Sequence, residues 1–169
     1  DRPAGPASQP VPKENCKNVK EILNDKQLLG LEFYDDILAR IPRGEIIEHE
    51  KILKKVLKKV DPRAELTIAG SYRRGKSESG DIDVLLKSKE KKTYNKFIDE
   101  LVKIKYLYPE HLALGPKKYN GLAIIPSCII YRRIDIMYTK EEEYPFAILY
   151  FTGSMEFNAK MRGMALEKG

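Results

Sequence analysis

Ser79-Gly80-Asp81-Ile82-Asp83-Val84-Leu85-Leu86 is the run on which the reading of this chain turns. Alternation of charged and β-branched residues predicts a strand over 81–86, bounded by the Ser-Gly pair. On a strand, residues two apart leave the same face with their Cα atoms about 7 Å apart, so Asp81 and Asp83 point one way and Ile82 and Val84 the other. An isolated Asp-x-Asp pair is most often the wet face of a half-buried strand. Its surroundings change that reading. Upstream, Ala64, Leu66 and Ile68 alternate with polar residues as a second strand, which ends in Gly70-Ser71-Tyr72-Arg73-Arg74-Gly75. Glycines, a serine hydroxyl, free backbone N–H groups and two arginines suit a phosphate group approaching closely. Downstream, Arg132-Arg133-Ile134-Asp135-Ile136 repeats the alternation, with isoleucines directed to a core and Asp135 on the other face.

If these strands are neighbours, three carboxylates meet at one point. Such a cluster repels itself unless cations relieve it, and two divalent ions roughly 3.5–4 Å apart can activate an attacking hydroxyl and stabilise a leaving pyrophosphate. Hard oxygen donors indicate Mg2+ rather than zinc, with Mn2+ able to substitute. The expected metal set, and the catalytic set, is Asp81, Asp83 and Asp135.

Outward from this centre, residues 1–15 hold Pro3, Pro6, Pro10 and Pro12 among small polar neighbours and read as a linker or cloning remnant. Val19, Ile22 and Leu23, then Leu28 and Leu29, then Phe33, Ile37 and Leu38 predict short helical pieces over 16–45. Ile46, Ile47, Leu53, Val56, Leu57 and Val60 form the apolar stripe of a helix over 45–60, whose lysines (51, 54, 55, 58 and 59) read as its solvated face. Asp61-Pro62 stops it. A helix over 91–105, strands over 122–125 and 129–138, and helical segments from Phe146, broken at Gly153, complete an α/β pattern without internal repeats. In the last helix Ser154 is the cap, Phe157, Met161 and Met164 the buried stripe, and Asn158 and Arg162 share the opposite face. His49 and His111 read as surface residues.

The 31 Lys and Arg against 25 Asp and Glu leave a net charge of +6, compatible with a polyanionic partner such as nucleic acid. No apolar run approaches the roughly 20 residues of a membrane span, so no membrane partner is expected. The opening carries no signal-peptide pattern, and Cys16 and Cys128 are too few for a disulfide framework or a structural zinc site. An intracellular, reducing location is expected, nuclear in a eukaryote.

The 70–75 turn, the 79–86 run, 132–136 and Leu149-Tyr150-Phe151-Thr152-Gly153-Ser154 together resemble the family X DNA polymerases, from about Gly30 to the last residue. The resemblance implies a nucleotidyltransferase-fold palm at 46–141, a mixed sheet with flanking helices. A fingers-like, DNA-binding helical segment precedes it at 16–45, and the start of the nucleotide- and template-contacting subdomain, where a thumb begins, follows at 142–169. It further implies that Asp81 and Asp83 bind both metals and Asp135 the catalytic one. Arg43 (in Arg40-Ile41-Pro42-Arg43), Gly70, Ser71, Arg74, Ser79, Gly80, Tyr150, Phe151, Gly153 and Asn158 would serve the incoming nucleotide, and Arg133 and Arg162 the DNA. Tyr150 and Phe151 match the pair that crowds a ribose 2′ hydroxyl. The implied activity is template-directed filling of short gaps in DNA repair, with gapped or nicked DNA and a deoxynucleoside triphosphate as partners.

Met137 and Met155 depart from the family pattern, standing where members carry an arginine and an aspartate. The family's amino-terminal lyase domain has no counterpart, so no deoxyribose phosphate lyase activity is expected. The chain ends where the family's last subdomain continues, and a second chain supplying the thumb is one way to complete it. Two rival readings are a template-independent terminal transferase and a catalytically incomplete DNA-binding fragment. Tyr150-Phe151, where the transferase has Gly-Trp, opposes the first; the intact set of three aspartates opposes the second.

Overall fold

The computed structural model describes residues 23–169. The expected linker at 1–15, Cys16, Val19 and Ile22 lie outside them. Helices α1 (Asp25–Glu32) and α2 (Tyr34–Leu38) open the described chain, the first with a capping box in which Asn24 and Gln27 exchange side-chain-to-backbone hydrogen bonds. Leu29 is buried in α1, but no residue of α2 is, so the apolar pattern of this region is only partly covered.

A two-residue strand β1 (Ile41–Pro42) leads into α3 (Arg43–Val60). Its buried stripe is Ile46, His49, Leu53, Val56 and Leu57, and Lys51, Lys54, Lys55, Lys58 and Lys59 are exposed as expected. Two residues depart from expectation. Ile47 is exposed, one position off the stripe, and His49, expected at the surface, is fully buried because it lies three residues beyond Ile46 and four before Leu53. Asp61 ends the helix and accepts hydrogen bonds from Thr93 and Ser88, tying its end to the start of the later helix α5.

Strand β2 (Glu65–Ile68) runs into a single helical turn, α4 (Gly70–Arg73), where the sequence predicts an irregular turn. Then follow β3 (Glu78–Ser79), β4 (Ile82–Lys87), α5 (Lys92–Lys103), β5 (Ala113–Leu114), β6 (Lys118–Ala123) and β7 (Arg132–Thr139). Short strands β1 and β3 pair antiparallel. The main sheet has the order β2-β4-β7-β6-β5, parallel between β4 and β7 and antiparallel elsewhere, so it is a mixed sheet as expected. Strand β6 begins four residues before the predicted start and ends at Ala123. Strand β7 begins at Arg132 rather than at Ile129, whose side chain is 93% exposed and has no core to enter.

The sheet is two-faced. Ile82, Val84, Leu86, Ile134, Ile136 and Tyr138 join Leu53, Leu57, Tyr94, Phe97 and Leu101 of α3 and α5 in one core. Asp83 and Asp135 alternate onto the opposite face. There α6 (Tyr144–Thr152) lies against β4, with Lys87 over the Tyr144 ring and the Tyr144 and Thr67 hydroxyls 3.0 Å apart. Helix α7 (Met155–Lys168) is capped by Ser154, as predicted, but buries no residue. Phe157, Met161 and Met164 are 42%, 42% and 48% exposed, so the predicted buried stripe is an uncovered face. Among the described residues no helix is long and apolar enough to cross a membrane.

Candidate active site

Strands β4 and β7 are parallel neighbours with Asp83 directly opposite Asp135. Asp81 sits one residue before β4 begins, not within it, yet one ligand oxygen from each of Asp81, Asp83 and Asp135 lies within 4.8 Å of the others. The predicted convergence is therefore present. Burial, followed by the charges of Asp81 and Asp135, pushes Asp83 up to about 7. Burial also raises Asp135, although a hydrogen bond from Asn120 works against it. Lys118 and Arg133 temper both carboxylates. A centre in which burial, and then like charges, hold a proton near neutrality is short of positive charge, and the all-oxygen donor set fits a hard divalent cation. Asp81, Asp83 and Asp135 are the residues that would hold it.

The 70–75 turn stands beside this centre. Gly70 has φ 60°, and a Cβ there would collide with Oδ2 of Asp83, so glycine is required both for the backbone and for the carboxylate's room. Ser71 donates to the buried hydroxyl of Ser79 at 2.7 Å, which fastens α4 to β3. Arg43 lies outside the cleft: Nη1 donates to the carbonyls of Tyr72 (2.6 Å) and Lys76, and the guanidinium lies 4.1 Å from the Tyr72 ring centroid. In this structure it braces the turn from behind. Arg74 Nη1 donates to Thr152 O at 2.6 Å, and Arg73 to the Thr152 hydroxyl, so the turn also holds the end of α6.

Opposite the aspartates, a turn at Gly153 (φ 68°) separates α6 from α7, and a Cβ there would press on the Arg74 guanidinium at 3.2 Å. Asn158 donates to Tyr150 O at 2.8 Å, closing the two helices on each other. A cleft of about 300 Å3 results, lined by Gly70, Ser71, Arg74, Asp81, Asp83, Tyr150, Phe151, Gly153, Ser154, Met155 and Asn158. Nine of the residues named for nucleotide or metal thus line one cavity beside Asp135; Ser79 supports it from below, and Gly80 is exposed just before β4. Arg133 is half-buried on the aspartate face of β7, whereas Arg162 is exposed on α7 with Nε directed to Asn158 O.

Two features escaped sequence reasoning. Asn120, directly opposite Asp135 on β6, donates to Asp135 Oδ1. Behind the sheet, Arg132 makes two 2.7 Å hydrogen bonds to Glu45, whose other neighbour, His49, has Nδ1 2.7 Å from the Tyr106 hydroxyl. Glu45 on α3 and Arg132 on β7 lie 87 residues apart, and no local pattern announces their pairing.

The chain matches the DNA polymerase beta palm family over residues 40–141. It is 32% identical over 92% of its length to DNA polymerase lambda of Arabidopsis thaliana and 33% identical over 87% to DNA polymerase lambda of Rattus norvegicus. A further relative is DNA nucleotidylexotransferase of Xenopus laevis, 27% identical over 90% of this chain. The matched regions cover 32%, 27% and 38% of those proteins, so the chain spans about a third of the length of the curated relatives it matches. With its mixed sheet, its three converging aspartates and a palm match across most of the described residues, the chain belongs to the family X DNA polymerases.

Proposed function

We propose that the chain is the catalytic palm of a template-directed DNA polymerase that fills short gaps, adding a deoxynucleotide to a primer 3′ hydroxyl with two bound Mg2+ ions. The observation that supports it most is the registry of Asp83 with Asp135, with Asp81 alongside, at the mouth of a cleft whose far wall is Tyr150 to Asn158. Two such ions would be held by Asp81, Asp83 and Asp135, and they would supply Lewis acidity toward the attacking hydroxyl and the leaving pyrophosphate. The remaining work falls to the chain. Gly70 opens room beside Asp83 for a close approach. Arg74, exposed at the cleft with a guanidinium that has donors beyond the one given to Thr152, is the cation for the triphosphate. Ser71 and the turn backbone orient that group, Asn158 keeps α7 against Tyr150, and Tyr150 with Phe151 flanks the sugar. On this reading 16–45 is the fingers-like DNA-binding segment, 46–141 the palm and 142–169 the start of the nucleotide- and template-contacting subdomain.

The relationship to a DNA nucleotidylexotransferase supports a second reading, extension without template. Against it stand Tyr150-Phe151 and the short connection of residues 124–131 between β6 and β7. Incorporation on a one-nucleotide gap, compared with extension of a single-stranded primer, with and without EDTA, separates the two. Metal-dependent incorporation of the templated base is expected. Equal extension without template would replace the first reading by the second, and incorporation that survives EDTA would overturn the metal assignment.

A further inference from the structure

Asn120 lies in the middle of β6, between β5 and β7, with Ala113 opposite it on one side and Asp135 on the other. The row Asp83, Asp135, Asn120 therefore crosses three adjacent strands at one level. Nδ2 of Asn120 donates to Oδ1 of Asp135. Among the described residues, no other side chain hydrogen-bonds a carboxylate of the triad; Lys118 and Arg133 act on it through charge. The backbone of Asn120 is paired on both sides, so its amide is placed by the sheet rather than by a mobile loop.

We propose that Asn120 is a positioning residue for the divalent-ion site, holding Asp135 in the orientation that receives the ion; this rests on the reading of the triad as an ion site. A carboxylate turns freely about its last torsion, because that sp3–sp2 rotation has broad minima. Engaging one oxygen removes that freedom before the ion arrives, so the entropy of ordering Asp135 is not charged to binding. The donor's neutrality matters as much as its position. An ammonium or guanidinium hydrogen-bonded at the same place would orient Asp135 equally well and would also cancel the charge that attracts the ion. An amide orients without neutralising. Groups that hydrogen-bond metal-ligating carboxylates commonly matter about 10- to 100-fold in affinity or activity.

The test is a titration of the whole chain with Mn2+ alone, monitored by electron paramagnetic resonance of the free ion, for the unaltered chain and for Asn120→Leu, Asn120→Ala and Asn120→Gln. Asn120→Leu keeps the approximate volume and loses the donor; it is expected to weaken Mn2+ binding about tenfold while metal-free thermal stability stays within a few degrees. Asn120→Gln, which keeps the amide, is expected to recover most of the loss, a rescue that a purely structural role would not produce. Asn120→Ala repeats the measurement if leucine prevents folding. Incorporation by Asn120→Leu should need about tenfold more Mg2+ for its half-maximal rate, with the nucleotide KM at saturating Mg2+ within about twofold. Mn2+ affinity within twofold of the unaltered chain in the Leu and Ala variants overturns the inference, as does a loss that Gln leaves unrepaired. If Mn2+ binding depends on Asn120 but the unaltered chain extends no primer, the inference stands and the polymerase reading falls. If primers are extended and Asn120→Leu matches the unaltered chain, the reverse holds. A chain that binds no Mn2+ overturns both.

Discussion

Two polar clusters flank the same strand, and they are opposites. Arg132, Glu45, His49 and Tyr106 form one network behind β7: the carboxylate faces a guanidinium through two 2.7 Å bonds, and His49 Nδ1 lies 2.7 Å from the Tyr106 hydroxyl. Asp81, Asp83 and Asp135, in front, have one hydrogen-bonding amide and two cations that act through charge alone among three carboxylates. Burial alone would raise Glu45, but Arg132 holds it below the ordinary carboxylate range; Asp83, with no such partner, is pushed up to about 7. Clusters whose charges cancel internally contribute to the fold. A cluster left short of charge is destabilising until something external supplies it, and that deficit is the mark of a site.

The sharpest break of the comparison is removal of one member from each cluster. Asp135→Ala is expected to reduce incorporation on gapped DNA by roughly 10^4-fold or more, a loss of about 5 kcal/mol in the transition state, while nucleotide binding with Mg2+ persists through Asp81 and Asp83. Turnover within tenfold of the unaltered chain would remove Asp135 from the catalytic set. Glu45→Ala should do the opposite. It leaves the buried Arg132 guanidinium unpaired, which costs about 3–5 kcal/mol of stability, with the folded fraction incorporating within a few-fold of normal. Chemical denaturation and burst-phase active-site counting read the two effects separately.

The clusters also respond to pH in opposite directions. Asp83 binds its proton more tightly in the folded chain (about 7) than in the unfolded one, so metal-free stability falls as pH rises from about 4 to about 7. His49 is held down to about 4 by burial, against 6.5 when free, so the folded chain resists protonation and stability falls as pH drops from about 6.5 to about 4. Each contributes on the order of 3–4 kcal/mol at full extent, and over pH 4–6.5 they nearly cancel. Asp83→Asn removes one arm. Its metal-free stability should match the unaltered chain near pH 4, exceed it by about 2–4 kcal/mol at pH 8, and decline steadily below pH 6.5, while incorporation is lost. Parallel stability curves for the two proteins would show that Asp83 carries no such strain.

How much of this was visible in the sequence differs between the same two clusters. The triad was legible because alternation announces strand faces: Asp83 and Asp135 each stand between β-branched residues, Asp81 stands between Gly80 and Ile82, and motif order supplied the adjacency that periodicity cannot. Asn120 was not, since Lys118-Tyr119-Asn120-Gly121 lacks an apolar alternation and its strand was placed from Leu122 onward. The buried network needed a distance between α3 and β7 that no local pattern encodes. His49, however, carries a signal, standing on the stripe of Ile46 and Leu53, although the lysines of its helix favour a surface reading. Phe157, Met161 and Met164 show the converse: helical spacing identifies an apolar face, but burial depends on a surface to cover it.

Arg74 stands at the border of the comparison, a charge that is satisfied now and needed elsewhere. Its Nη1 bond to Thr152 O ties the α4 turn to the end of α6, and the guanidinium remains exposed in the cleft with further N–H groups to offer. If the role of Arg74 is to meet the triphosphate, Arg74→Ala should weaken nucleotide affinity roughly tenfold to a hundredfold, the usual span for one charge-assisted contact. If its role is to hold α6, the same substitution should loosen the far wall of the cleft and weaken nucleotide and gapped DNA alike. Arg74→Lys separates the roles further. Lysine keeps a charge for phosphate but cannot hold a backbone carbonyl and a phosphate in the fixed fork of a guanidinium, so partial recovery of nucleotide affinity is expected. Nucleotide and DNA dissociation constants measured for both variants at the same ionic strength decide the matter: a selective loss in alanine, softened in lysine, assigns Arg74 to the nucleotide, whereas a loss confined to DNA would assign the turn to the duplex.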